Sequence, residues 1–231
     1  MNEHFRHRIE RTANKHSRAV YRDETIVIRL ARNLSAREEQ EHINALLKRM
    51  TSIVLRERKR TIIDPFRPLL EGEQSLKITL ASGRAYTFTL VAGQRMRAAR
   101  VTDGWRIELA PRTRRRQLHR FLWTLLGDLE HEYLEDLVRE IDAETFNFGI
   151  SGLRIGYASS QWGSCSVRGE IMLNAVLLLL PLELLRYVVI HELAHRRVRN
   201  HSPAYWRVVA SVLPDYAALR RNLSKYRICS L

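Results

Sequence analysis

Apolar and polar positions follow clear periods along much of the chain. Thr25-Ile26-Val27-Ile28-Arg29-Leu30 is a β-branched run that predicts a short strand. Beyond it Ile43, Leu46, Leu47, Met50, Ile53 and Val54 recur at helical intervals, and Ser35 with Glu38 has the spacing of a capping box. A helix is therefore expected to begin after Ser35 and to end in the cationic residues 56–60, where positive charge suits the helix dipole. Residues 1–24 are polar and read as irregular, and Asp64-Pro65-Phe66-Arg67-Pro68 interrupts any regular element. Leu76, Ile78 and Leu80 alternate before Ser82-Gly83, and Tyr86, Phe88 and Leu90 alternate after it, which predicts a hairpin. A second hairpin around Asp103-Gly104 joins 97–101 to 105–109, so a small sheet or meander is expected. Leu118, Leu122, Leu125, Leu129, Tyr133, Leu137 and Ile141 then mark one long helix from residue 115 to about residue 141.

Past Gly149, residues 153–158 read as a strand, 161–166 as a turn-rich connection and 170–174 as a returning strand. Pro181 opens a helix whose Leu184, Leu185, Val188, Val189 and Leu193 require burial. Ser202-Pro203 has the form of an N-cap followed by proline at the first helical position, starting a helix through Tyr205, Trp206, Val209 and Val212. Pro214 ends it and opens a last helix over about 215–226. The longest apolar run, 175–182, is too short to cross a bilayer. A faint repetition is visible: Ile28-Arg29-Leu30-Ala31 and Ile107-Glu108-Leu109-Ala110 each precede a helix, and Leu46-Leu47 and Leu125-Leu126 share the same offset of 79, although the residues between do not match.

The chemistry concentrates in His191-Glu192-Leu193-Ala194-His195, followed by His201. Residues four apart share a helix face, so His191 and His195 can aim imidazole nitrogens at one ion. Glu192, rotated by roughly 100°, can instead reach an attacking water as general base. With His201 as third ligand, this set points to an open, catalytic zinc site rather than a closed structural one. The rival third ligand is Asp215, but it follows Pro214 where a helix should start and is equally well explained by that position. Tyr205 and Arg196, Arg197 or Arg199 are candidates to stabilise an oxyanion. Cys165, beside glycines, reads as a packed thiol.

Charge adds a question to this picture. The 39 Lys and Arg exceed the 25 Asp and Glu, a net charge of +14, divided as +7 before residue 150 (28 minus 21) and +7 after it (11 minus 4). The excess is thus expected around the site, either as a solvated surface or as a contact with nucleic acid or another polyanion. Arg112, Arg114, Arg115 and Arg116, crowded at a helix N-terminus, are the leading anion-contact candidate. Two cysteines suggest no disulfide framework, and residues 1–8 contain no apolar stretch of a secretory kind, so a cytoplasmic setting and no membrane contact are expected.

Four separated blocks occur in order: Trp162-Gly163-Ser164-Cys165-Ser166; Gly169-Glu170-Ile171-Met172-Leu173-Asn174; Tyr187 through His195; and Asn200-His201-Ser202 with Tyr205-Trp206. Over residues ~145–231 they resemble the YgjP-like metallopeptidase family, itself similar to the WLM and SprT-like zincins. The resemblance implies a zincin-type catalytic domain with His191, His195 and His201 as zinc ligands and Glu192 as catalytic acid/base. The metzincin pattern does not fit, because Val198 stands where its glycine would be and no methionine follows His201. The expected fold is α+β, a zincin-like, helix-rich catalytic domain with a small antiparallel sheet over 111–231, preceded by a strand/helix region over 1–110. The expected function is a zinc metallopeptidase acting on peptide or protein. Its rivals are a metal-dependent nucleotide or phosphate-ester hydrolase and a protease acting on nucleic-acid-bound proteins.

Overall fold

The structure is a computed structural model that describes residues 5–229. It divides into two compact units, Met1–Arg60 and Thr61–Leu231. In the first, β1 (Arg6–Arg11), β2 (Arg18–Arg22) and β3 (Thr25–Leu30) form a sheet of order β1-β3-β2, and α1 (Ala36–Arg58) packs on one face. The alternation in β3 puts Ile26, Ile28 and Leu30 on that face, each 0% exposed, against Ile43, Leu46, Leu47 and Met50 of α1. The expected capping box is present: the Ser35 N–H donates to Glu38 Oε2 at 2.7 Å, and the Ser35 hydroxyl accepts from the Glu38 N–H at 3.4 Å. Ser35→Ala is expected to cost α1 about 1 kcal/mol, seen as faster amide exchange in its first turns; unchanged exchange would show that the cap contributes nothing. The irregular segment expected over 1–24 is corrected, since β1 and β2 occupy much of it. Their side chains are mostly polar, and it is main-chain pairing to β3, parallel for β1 and antiparallel for β2, that orders them.

The second unit opens with β4 (Thr61–Ile63) and a short helix α2 (Arg67–Glu71). Then come β5 (Ser75–Thr79), β6 (Ala85–Ala92), β7 (Arg97–Val101) and β8 (Gly104–Leu109). Both expected hairpins form, but β6 pairs with β8 in parallel, giving the order β5-β6-β8-β7 rather than a meander. The single long helix is also corrected to α3 (Arg115–Leu129) and α4 (His131–Glu144). At the break Glu130 is fully buried, with φ −105° and ψ 4°, and its carboxylate accepts from the Tyr86 hydroxyl and from Arg84 Nη1 at 3.4 Å. The apolar period runs through this point, so only the sheet partners of Glu130 distinguish it from helix interior.

Next come β9 (Gly152–Gly156), β10 (Gly163–Cys165) and β11 (Glu170–Asn174) in the order β10-β11-β9. β11 runs parallel to β9, and the stretch read as a turn contains an edge strand, β10, antiparallel to β11. The sheets are mixed rather than antiparallel, within an α+β fold. A 3₁₀ turn (Ala175–Leu179) leads to α5 (Leu182–Ala194), α6 (Pro203–Val212) and α7 (Tyr216–Leu223). α7 stops short of residue 226, because Tyr226–Ile228 forms β12, parallel to β4. One core joins Phe66, Ile78, Phe88 and Ile107 to Trp123, Leu173 and Val189. Packing therefore groups β5–β8 with the C-terminal elements and divides the chain after Arg60, whereas the expected division at 110 separated roles. Among the described residues no helix is long and apolar enough to cross a membrane.

The faint sequence repetition corresponds to a repeated βββα unit. β2 and β7, and β3 and β8, lie 79 residues apart at both ends, and α1 and α3 begin at Ala36 and Arg115. The hairpin register agrees too: Arg18 faces Arg29 as Arg97 faces Glu108. The parallel neighbour is slipped, since His7 faces Ile26 but Phe88, not Tyr86, faces Trp105. Even the cap recurs, with the Arg114 N–H donating to Gln117 Oε1 at 3.0 Å. The copies differ on the second face of the helix. α3 buries His119, Trp123 and Gly127 where α1 carries the exposed Gln40, Asn44 and Lys48, so α3 is packed on two sides and α1 on one.

Candidate metal centre

α5 is apolar nearly all round, as a helix enclosed by its surroundings must be, and it buries Glu192 to 6% exposure. It ends at Ala194 with His195 as C-cap. The chain then turns, and His201 folds back so that its Nε2 lies 3.0 Å from His191 Nε2. Candidate ligand atoms of His191, His195 and His201 all lie within 4.8 Å of one another, and Asp215, at the N-terminus of α7, is outside this group. Tyr205 of α6 is fully buried beneath it, its ring 4.6 Å from that of His195 and 4.8 Å from that of His201. Its hydroxyl donates to the His191 carbonyl at 2.8 Å, and burial drives its pKa upward. Tyr205 thus pins the α5–α6 corner, and its hydroxyl is already engaged.

The electrostatics favour neutral imidazoles. Burial, then the neighbouring His195 and His201, pushes His191 down to about 3, and burial also lowers His195. His195 Nδ1 lies 3.1 Å from the Val198 carbonyl, so as donor there it leaves the Nε2 lone pair for the cluster. His191 Nδ1 is buried without a hydrogen-bond partner, and its ring finds a polar neighbour only on the Nε2 side, toward His201. Three imidazole nitrogens converging without a carboxylate fit one borderline-soft cation, and fit a hard oxygen-preferring ion poorly.

Glu192 sits against β10, the edge strand of its sheet. A Cβ on Gly163 would fall 2.9 Å from both Cγ and Oε1 of Glu192, closer than real contacts allow. Burial pushes the Glu192 carboxyl up to about 7, the range suited to a general base at neutral pH, and a bound cation would draw it back down. Gly163→Ala is expected to lower kcat roughly 10- to 100-fold by displacing this carboxylate while leaving metal content unchanged; metal loss in that variant would mean the strand supports the ligands instead.

Two of the three arginines considered for an oxyanion are otherwise engaged. Arg196 donates to the Gly149 carbonyl and, at 3.4 Å, to that of Phe148; Arg199 donates to the carbonyls of Cys165 at 3.2 Å and Ser166 at 3.3 Å. They hold the loops before β9 and after β10, and Arg197 is exposed. Cys165 is half-buried, its thiol pushed up by burial and outside the histidine group. Sequence reasoning missed Gly163 as the seat of Glu192, because nothing local distinguishes it from a turn glycine. It also missed a second cluster, Asp64, His119 and Cys229, in which His119 Nε2 lies 3.0 Å from Asp64 Oδ1 and 3.0 Å from Trp123 Nε1. The one sequence signal for it is a histidine at an inward position of α3.

The UTP pyrophosphatase of Escherichia coli (strain K12) is 27% identical over 104 residues, 42% of this chain and 62% of that protein. The chain thus spans less than two thirds of that curated relative. A crystal structure of the metallopeptidase zymogen of Pyrococcus abyssi abylysin is similar at 26% identity with a TM-score of 0.35, over 41% of this chain and 97% of that one. The family model described as YgjP-like, metallopeptidase domain, matches residues 8–226, well beyond the blocks around the histidines. By the extent of that match, the chain belongs to the YgjP-like metallopeptidase-domain family.

Proposed function

We propose that the protein is a zinc-dependent peptidase of zincin type, with His191, His195 and His201 holding the metal and Glu192 as general acid/base. The observation that carries this reading is the convergence of three imidazoles beside the buried carboxylate of Glu192. A bound zinc would supply a Lewis acid and a water of lowered pKa. Glu192 takes the proton of the attacking water at its carboxylate and returns it to the leaving amine, serving first as base and then as acid. The edge strand β10 favours a peptide substrate, because an extended chain can add to an open edge by main-chain hydrogen bonds while Gly163 keeps Glu192 close beneath. Both cysteines are unpaired, in keeping with a reducing, cytoplasmic setting.

A second reading, hydrolysis of a nucleoside triphosphate, is favoured by the name of the Escherichia coli relative. The purified protein, loaded with zinc and with a chelator control, is to be assayed on unfolded polypeptides and on UTP. Chelator-sensitive cleavage of polypeptide supports the peptidase. Pyrophosphate release from UTP, lost on chelation and without any proteolysis, would overturn it.

A further inference from the structure

We propose that the open face of the N-terminal sheet, opposite α1, binds the phosphate backbone of a nucleic acid. The register decides which side chains share this face. Ile26, Ile28 and Leu30 point into the α1 interface, so Val27 and Arg29 of β3 point away from it, as do their partners Arg8 and Glu10 in β1 and Arg18 and Val20 in β2. Arg6 and Arg22, both opposite Thr25, complete the set. The face therefore carries five arginines and one acid, and Glu10 is shared between Arg8 at 2.6 Å and Arg29 at 2.9 Å. Arg6, Arg18 and Arg22 are exposed and have no carboxylate partner among the described residues. Val20, Val27 and Thr25 floor a concavity of about 250 Å³ walled by Arg8, Arg22 and Arg29, with Asp23 of the β2–β3 turn at its rim.

The repeat shows that this charge is no requirement of the fold. In β8 and β7 the equivalent outward residues include Arg106, Ala99 and Val101, and Arg97 is neutralised by Glu108 through two hydrogen bonds of 2.7 and 2.8 Å. The same βββα framework thus stands with a nearly balanced outer face in one copy and an arginine field in the other. Charge along the chain agrees. Residues 1–60 hold 15 basic and 8 acidic side chains, while residues 61–150 hold 13 of each. The whole excess of +7 that precedes residue 150 therefore lies in this small unit. Arginines in a planar array match the regular spacing of phosphates, and a face without aromatic side chains favours backbone over base contacts. This proposal does not depend on the peptidase reading.

The test is fluorescence anisotropy of the full-length protein with labelled DNA and RNA oligonucleotides across a salt series. Wild type is expected to bind with a steep salt dependence. R6A/R18A/R22A should lose at least about tenfold in affinity near physiological salt and flatten the log–log slope by about 2 to 3. Removing the same charge from the exposed side of α1, in K48A/R49A/R56A, should cost under about threefold, and R6K/R18K/R22K, which keeps the charge, should retain most of the slope. Equal loss in the two alanine variants would overturn the proposal in favour of net charge alone. So would absent binding by wild type, or binding to phosphatidylserine vesicles without binding to oligonucleotides. E192Q should bind nucleic acid as wild type does, so failure of this proposal and failure of the peptidase reading are distinguishable.

Discussion

Glu192→Gln is expected to retain zinc at wild-type content and to lose turnover by roughly 10³-fold or more, about 4 kcal/mol of transition-state stabilisation. The amide keeps the shape of the carboxylate and its seat against Gly163, so the pocket and the ligand histidines should be undisturbed. What disappears is the ability to accept a proton, which no other acidic side chain in the ligand group can supply. Steady-state cleavage of a peptide substrate, with metal analysis on the same sample, checks both halves. Activity within a few-fold of wild type would remove Glu192 from the mechanism, and metal loss would make it a ligand.

His201→Ala is expected to reduce bound zinc from about one per chain to below about a tenth under dilute buffer conditions. Asp215→Ala should leave it unchanged. The contrast arises because His201 Nε2 stands 3.0 Å from His191 Nε2, whereas Asp215 only begins α7. Two imidazoles on one helix make a weak site, and the third converts it to a closed triangle with one open position. Metal analysis after dialysis against a mild chelator reads the outcome. Zinc retained by His201→Ala and lost by Asp215→Ala would reverse the ligand assignment.

Local patterns were legible where one face of an element packs on one neighbour. β3, α1 with its Ser35–Glu38 cap and the two hairpins have a period set by a single interface, and the helix carrying His191 and His195 shows as a nearly all-apolar run. The failures share the opposite cause. β1 and β2 owe their order to β3 rather than to apolar side chains of their own, and β12 and β4 are three-residue strands that exist only as a pair. The break at Glu130 keeps the helical period while answering to Tyr86 and Arg84 on a distant sheet. Repetition at 79 residues was faint because packing on two sides, instead of one, replaced the residues of α3 that would have matched α1.

The sequence by itself determined the candidate ligand types, their spacing and the helix that bears two of them, because an i, i+4 histidine pair needs only helical geometry to converge. It also settled the sign of the charge. The tertiary structure alone brought His201 back to His191, engaged Tyr205, Arg196 and Arg199 in holding the corner and loops, and placed Gly163 over Glu192. It also gathered arginines from three strands onto one face of the N-terminal sheet. Each of these depends on chain segments meeting across long sequence separations, where strand register and helix packing, rather than local period, choose the neighbours.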